Sequence, residues 1–244
     1  MLAGPLTPSD MGVALGYRVP LPDHGNFQTV IAFLPGWDGY VWAFPGTDCV
    51  SIGIATSQPT FNHERLEAML LDFIDRYYQQ RWNNTLLGSI SKAQVKTLRA
   101  EIELRADRYA ARIPNLDQST LEARRLVGSD WALIGDAAGF ADAITGEGIY
   151  YALRSAELFA ESYLKGNAEE YETRWRTEFG EELMRAAKLR STFYGKFFGN
   201  TFTHRMIQCS ILHPGIRRTL VELIAGDLPY SQLKRTLVRR LAST

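Results

Sequence analysis

WALIGDAAGFADAITGEGIYYALRSAELFAESYL, residues 131–164, holds the turn on which the reading of the fold depends. Trp131–Ile134 is short and apolar, which predicts a buried strand. Gly135 lets the chain leave that strand sharply. Asp136 then stands at the strand's carboxyl end, where open α/β sheets bind ligands. A carboxylate there can accept hydrogen bonds from a sugar or ribityl hydroxyl, each contributing about 1.5–3 kcal/mol when the acceptor is charged. Ala137, Ala138 and Gly139 are small enough for a ligand or another backbone to come close. Thr145-Gly146-Glu147-Gly148 opens a helix that runs through Leu164. Its first N–H groups have no partner within the helix, and together with the helix dipole they favour an anion or an electron-rich carbonyl oxygen. Ile149, Ala152, Leu153, Ala156, Phe159 and Ala160 give the helix a packable stripe. On residues alone, the turn reads equally as a tight strand–turn–helix corner whose glycines serve packing. Glu147, in the first helical turn, is expected to complement the dipole rather than to act as an acid or base.

Upstream, the chain is strand-like. GVALGYRVP, QTVIAFLP, GYVWAFP and DCVSIGIAT are rich in β-branched and aromatic residues and are separated by Pro, Gly and Asp. Tyr40, Trp42 and Phe44 share one face of their strand, and Val50, Ile52 and Ile54 share one face of the next. FPGTDCV is a plausible hairpin connection, so an antiparallel sheet is predicted. Leu66, Met69, Leu70, Phe73, Ile74 and Tyr77 then follow helical spacing, with Thr60 or Asn62 as the cap. The segment from Leu86 to Gly128 is harder to read: QVKTLRAEIELRA suits strand or helix, while RRLVGSDWALIG suggests a hairpin or the start of a strand. After Gly148 the pattern is helical to the end, with breaks at Lys165-Gly166-Asn167, Gly199-Asn200, His213-Pro214-Gly215 and Gly226-Asp227-Leu228-Pro229. Sheet first and helices last predict an α+β arrangement, or part of a larger α/β one.

Composition narrows the function classes. The chain has 244 residues, 45% hydrophobic and 22% charged, ordinary values for a globular protein. Lys+Arg and Asp+Glu are both 27, so no global field draws it to nucleic acid. From Arg190 onward, however, nine basic residues stand against only Glu222 and Asp227. Cys49 and Cys209 are too few for a disulfide framework, and His24, His63, His204 and His213 are scattered, so no metal site is expected. No apolar run reaches the roughly 20 residues of a membrane-spanning helix. The first residues, MLAGPLTPSDMG, lack a signal-peptide pattern, and a cytoplasmic setting is the expectation.

ALIGDAAGFADAITGEGIYYALRSAELFAE closely resembles the second flavin-binding motif of the geranylgeranyl reductase family, FAD-dependent oxidoreductases with a p-hydroxybenzoate hydroxylase-like fold. PGWDGYVWAFPGTDCVSIGIAT is similar to that family's aromatic strand pair, and AGDLPYSQLKRTL to its closing helix. The resemblance implies a substrate-binding sheet and helix over 1–128, the second half of an FAD-binding domain over 129–165, and a helical region over 166–244. It implies that Asp136 contacts the ribityl chain of FAD, with Gly135 and Ala137 beside the diphosphate. It implies that the backbone of Gly146, Glu147, Gly148 and Ile149 faces the pyrimidine edge of the flavin ring. Tyr40, Trp42 and Phe44 would line the cavity for an apolar, isoprenoid-like substrate whose carbon–carbon double bonds are reduced, with electrons from NAD(P)H or another donor. No catalytic residue is assigned.

Two departures accompany the resemblance. Ala143-Ile144 stand where the family usually has a proline. The family's GxGxxG unit for the ADP half of FAD is absent from these residues, so a separately encoded N-terminal half is an expected partner. Two other readings compete: a flavin monooxygenase or halogenase, and a non-catalytic lipid- or partner-binding remnant. In the second, Lys234-Arg235 and Arg239-Arg240 would touch anionic headgroups; the plain alternative for that tail is a solvated helix face.

Overall fold

The computed structural model describes residues 6–20, 28–34, 37–58, 62–83, 106–197 and 200–242, together with Ala100 and Leu104. The chain forms two compact units, Gly12–Arg112 and a second made of Met1–Met11 with Ile113–Thr244.

The first unit is a five-stranded sheet in the order β2-β3-β4-β1-β5, with one long helix. Its strands are β1 (Met11–Pro20), β2 (Val30–Ala32), β3 (Gly39–Pro45), β4 (Cys49–Thr56) and β5 (Asp107–Pro114). The β2–β3, β3–β4 and β4–β1 pairs are antiparallel. The hairpin predicted at FPGTDCV is present: Pro45 pairs with Val50, and the Gly46 N–H donates to the Cys49 carbonyl at 2.8 Å.

Helix α1 (His63–Asn83) starts at Asn62, whose side chain accepts from the Arg65 N–H at 2.9 Å; Thr60, the other cap considered, lies outside the described residues. Its buried stripe of Leu66, Leu70, Ile74 and Tyr77 packs with Val41, Ala43, Val50, Ile52 and Ile54 in one core. Alternation along β3 therefore sends Tyr40, Trp42 and Phe44 to the other face. There they form a row with ring centroids 5.8 Å and 6.1 Å apart. Trp42 faces Gly53 on β4, where a Cβ atom would stand 2.2 Å from the indole. Its Nε1 donates to Ser51 Oγ, which also meets the Tyr109 hydroxyl from β5 at 2.7 Å. Trp42 is buried and Phe44 exposed. Most of QVKTLRAEIELRA lies outside the described residues.

The second unit is largely helical. Its helices are α2 (Gln118–Ala123), the single turn α3 (Gly135–Ala138), α4 (Ile149–Leu164), α5 (Glu170–Trp175), α6 (Glu181–Phe193), α7 (Phe202–Leu212), α8 (Pro214–Ile224) and α9 (Tyr230–Leu241). A π-turn, Arg176–Gly180, joins α5 to α6. A two-residue pair, β6 (Lys196–Phe197) with β7 (Asn200–Thr201), interrupts the predicted helical run. Gly166 and Gly226 fall between helices and Pro214 opens α8, as their residues require. The core is aromatic: Phe140 lies 4.9 Å from Trp175 and 5.0 Å from Phe179, centroid to centroid. The residues before β1 close onto this unit, with the Asn115 N–H donating to the Asp10 carbonyl at 2.7 Å.

The α+β class is thus observed, sheet first and helices after. Trp131–Ile134 is not the buried strand expected. It is one arm of a tight hairpin, in which Gly128 N–H donates to Trp131 O and Leu133 N–H to Leu126 O, with Val127–Ala132 as its bridge. Ile134 is exposed. Among the described residues no second neighbour completes a ladder for so short a run. The α4 stripe is shifted as well. The helix buries Tyr151, Ser155, Leu158 and Ser162, and leaves Ile149 and Leu153 outward. Serines carry this inner face because their hydroxyls bond to backbone: Ser162 Oγ donates to the Leu158 carbonyl at 2.8 Å.

Candidate functional site

The glycine-rich turn folds back on the start of α4 in two loops. In the first, α3 rises from Gly135, whose φ of +51° suits glycine and which sits so close to α4 that a Cβ would lie 3.0 Å from Ala152 Cβ. Its N–H donates to Ser155 Oγ at 3.0 Å, and that hydroxyl donates to the Ala152 carbonyl at 3.1 Å. Gly139 ends the turn in the left-handed region, and the Phe140 N–H closes it onto the Gly135 carbonyl at 3.0 Å. Phe140 then plunges into the aromatic core, anchoring the loop.

The second loop runs from Asp142 to Glu147. Its ends are tied by the Asp142 N–H donating to the Glu147 carbonyl at 2.9 Å and the Gly146 N–H to the Asp142 carbonyl at 2.8 Å. Asp142 Oδ1 accepts from the N–H groups of Ile144 and Thr145, both at 2.8 Å, and from the Tyr230 hydroxyl at 3.0 Å. Burial pushes this carboxyl up from the ordinary carboxylate range, against the pull of those donors. Burial and the Asp142 charge in turn raise the Tyr230 hydroxyl. The Tyr230 N–H donates to Glu182 Oε2 at 2.7 Å, so α9 is fixed to the turn and to α6 together.

These two loops bring the sequence-selected residues to one end of α4. Asp136 is exposed, and its Oδ1 lies 3.1 Å from where a Gly148 Cβ would stand. Glycine at 148 therefore lets the carboxylate lie against the helix start. Glu147 Oε1 accepts from the Tyr150 N–H at 2.9 Å, capping its own helix. Ile149, Tyr150 and Ala137 are exposed around Asp136 and Gly148 on this end. Arg124, which is buried, donates from Nη2 to the Ala137 carbonyl at 3.2 Å and steadies α3 from behind. Desolvation lowers its guanidinium from the usual value.

A cavity of about 530 Å³ lies on the inner side of the turn. Asp142, Glu147, Glu178, Glu182, Tyr151 and Tyr230 are among its walls. Its carboxylates repel phosphate, while Asp136 and the start of α4 are open to solvent.

Tyr40, Trp42 and Phe44 are brought together in the other unit, on the sheet face away from α1. Sequence reading missed Asp142, Ser155 and Tyr230. An aspartate two and three residues ahead of backbone donors is an Asx-turn signal, and serines spaced seven apart at 155 and 162 mark one face of α4. The Asp142–Tyr230 bond spans 88 residues and left no local trace. Among the described residues no group of His, Cys, Asp or Glu could hold a metal ion, and no helix is long and apolar enough to cross a membrane.

No protein-family model matches the chain. A geranylgeranyl diphosphate reductase of Synechocystis is 27% identical over 177 residues, covering 64% of this chain and 35% of its own length. A digeranylgeranylglycerophospholipid reductase of Methanococcoides burtonii is 26% identical over 166 residues, covering 64% of this chain and 34% of its own length. The chain therefore spans about a third of the length of these curated relatives. Among solved structures, a geranylgeranyl bacteriochlorophyll reductase-like protein of Thermoplasma acidophilum superposes with a TM-score of 0.47 and 19% identity, covering 90% of this chain and 56% of that one. Over nearly two thirds of its own length, this chain is thus similar in sequence to geranylgeranyl reductases.

Proposed function

We propose that this chain carries the ribityl- and ring-facing part of an FAD site, together with a substrate-facing sheet, in an oxidoreductase that reduces carbon–carbon double bonds of an apolar, isoprenoid-like molecule. The observation that carries the reading is the meeting of Asp136 with Gly148 at the open start of α4, where glycine leaves the space a side chain would fill.

The residues fit that part of the cofactor. Asp136 is a solvent-facing carboxylate able to accept from ribityl hydroxyls. The N–H groups at the start of α4 suit the electron-rich carbonyl edge of the ring. Ala137 is small and exposed beside Asp136, Gly135 lets the turn pack against α4, and Gly148 leaves the helix start without a side chain. When bound, reduced FAD supplies the hydride, its electrons coming from NAD(P)H or another donor. Glu147 orders the helix start by capping Tyr150, and Asp142 holds the turn's shape through Ile144 and Thr145. Tyr40, Trp42 and Phe44 offer an apolar face to the substrate and exclude water from it. No GxGxxG unit for the adenosine end of FAD lies among these 244 residues, and a separately encoded half is the proposed source of it.

Titrating the chain with riboflavin and with FAD, followed by flavin fluorescence, tests this assignment. FAD is expected to bind at least as tightly as riboflavin, because most contacts on this chain address the part they share and Gly135 and Ala137 stand beside the diphosphate. Asp136→Ala is expected to weaken both about tenfold or more, the loss of one hydrogen bond to a charged acceptor. Binding of neither by the unaltered chain, alone or with the missing half added, would sink the reading.

A further inference from the structure

The last three helices present a surface that the flavin reading leaves unused. α7 and α8 meet at the corner Ile211-Leu212-His213-Pro214, where Ile211 is 69% and Leu212 80% exposed. The corner is a built feature. Arg217 donates from Nε to the Ser210 carbonyl and from Nη2 to the Ile211 carbonyl, both at 3.2 Å. The backbone is thereby satisfied while the two aliphatic side chains stay outward.

The carboxyl end of α9 lies beside this corner. A Cβ at Gly215 would be 3.0 Å from Arg240 Cβ, and Arg240 donates from Nη1 to Thr219 Oγ1 at 3.1 Å. Leu241 follows it and is exposed, as is Val238. Apolar tips from two separate elements thus share one end of the bundle.

The three helices carry mostly positive charge. Phe202–Leu241 carries Arg205, Arg217, Arg218, Lys234, Arg235, Arg239 and Arg240 against Glu222 and Asp227. Glu222 is paired with Arg218 and Arg240, each at 2.8 Å. Asp227 belongs to the α8–α9 loop, at the opposite end of both helices.

We propose that the α7–α8 corner and the end of α9 form a docking surface for an anionic lipid bilayer. Ile211, Leu212 and Leu241 enter the acyl boundary, while Arg217, Arg235 and Arg239 meet the headgroups. Aliphatic tips ringed by arginine are what such a surface rewards, since apolar burial and attraction to anionic lipid add. A second copy fits poorly, because a two-fold contact here would set arginine against arginine.

Co-sedimentation of the full chain with vesicles tests this, comparing phosphatidylcholine alone with equal parts phosphatidylcholine and phosphatidylglycerol. Binding is expected to the mixed vesicles only, and to fall as salt is raised. Arg239→Glu is expected to weaken it about fivefold or more. Leu212→Asn is expected to weaken it while leaving the far-UV circular dichroism unchanged, since that side chain lies outside the core. A chain that stays in the supernatant with the mixed vesicles overturns the proposal. So do variants that bind like the parent, or a dimer in light scattering that Leu212→Asn converts to monomer.

Discussion

The β3–β4 hairpin and the glycine-rich turn each present residues selected for function, but they are held by different forces. In the hairpin, order comes from packing: Val41, Ala43, Ile52 and Ile54 are fully buried against α1, and the indole of Trp42 occupies the space that Gly53 leaves. In the turn, order comes from backbone groups captured by side-chain oxygens. Asp142 takes two N–H groups and a hydroxyl, Ser155 takes one N–H and Glu147 another. Packing is shared among many small contacts and yields gradually. A polar clamp concentrates its worth in one atom, and removing that atom strands its donors.

The sharpest way to break this contrast is Asp142→Ala. It leaves buried donors at Ile144, Thr145 and Tyr230 without their acceptor, and is expected to destabilise the helical unit by about 3 kcal/mol. Urea denaturation followed by circular dichroism measures it; a loss near zero would mean that the clamp is ornamental.

Gly53→Val tests the other side. Its Cβ would collide with the Trp42 ring, and the expected cost is about 2 kcal/mol of overpacking. A wild-type denaturation midpoint in this variant would show that Trp42 has room to move and that the hairpin is looser than described.

The smallest effect is one of pH, and Asp142→Asn isolates it. The folded Asp142 carboxyl sits above its unfolded value, because burial outweighs its donors. The native state therefore holds the proton more tightly. The contribution is full below the unfolded carboxylate value of about 3.9 and is lost as pH rises through the raised folded value. Asparagine keeps an acceptor oxygen and has no proton to lose. Its profile of stability against pH is expected to be flatter on the acid side of neutrality, and coincident profiles would contradict the burial argument.

What could be read from the sequence follows the same division. β1 to β4 and α1 were legible because alternation and helical spacing are local patterns with a large apolar signal. β5, DRYAARIP, was not: as the outer strand it is mostly exposed, and its charges hide the alternation. Trp131–Ile134 has a strand's composition, but a hairpin partner on one side supplies only a bridge. Asp136 and Gly148 stood out separately, as an acid after an apolar run and a glycine at a helix start, and only the structure shows that they meet. Asp142 with Tyr230 was not legible, because a hydrogen bond across 88 residues depends on the whole helical unit being folded.

The bond between Asn115 and Asp10 has a topological consequence. The helical unit begins before the sheet and resumes after it, so the sheet is an insertion whose two points of attachment lie side by side. An insertion of that kind is a cassette. It can be cut out between Met11 and Ile113 and the gap bridged by a short linker, or exchanged for another sheet, with the helical unit keeping its own chain path. The sheet and the glycine-rich turn would then be free to change by separate genetic events.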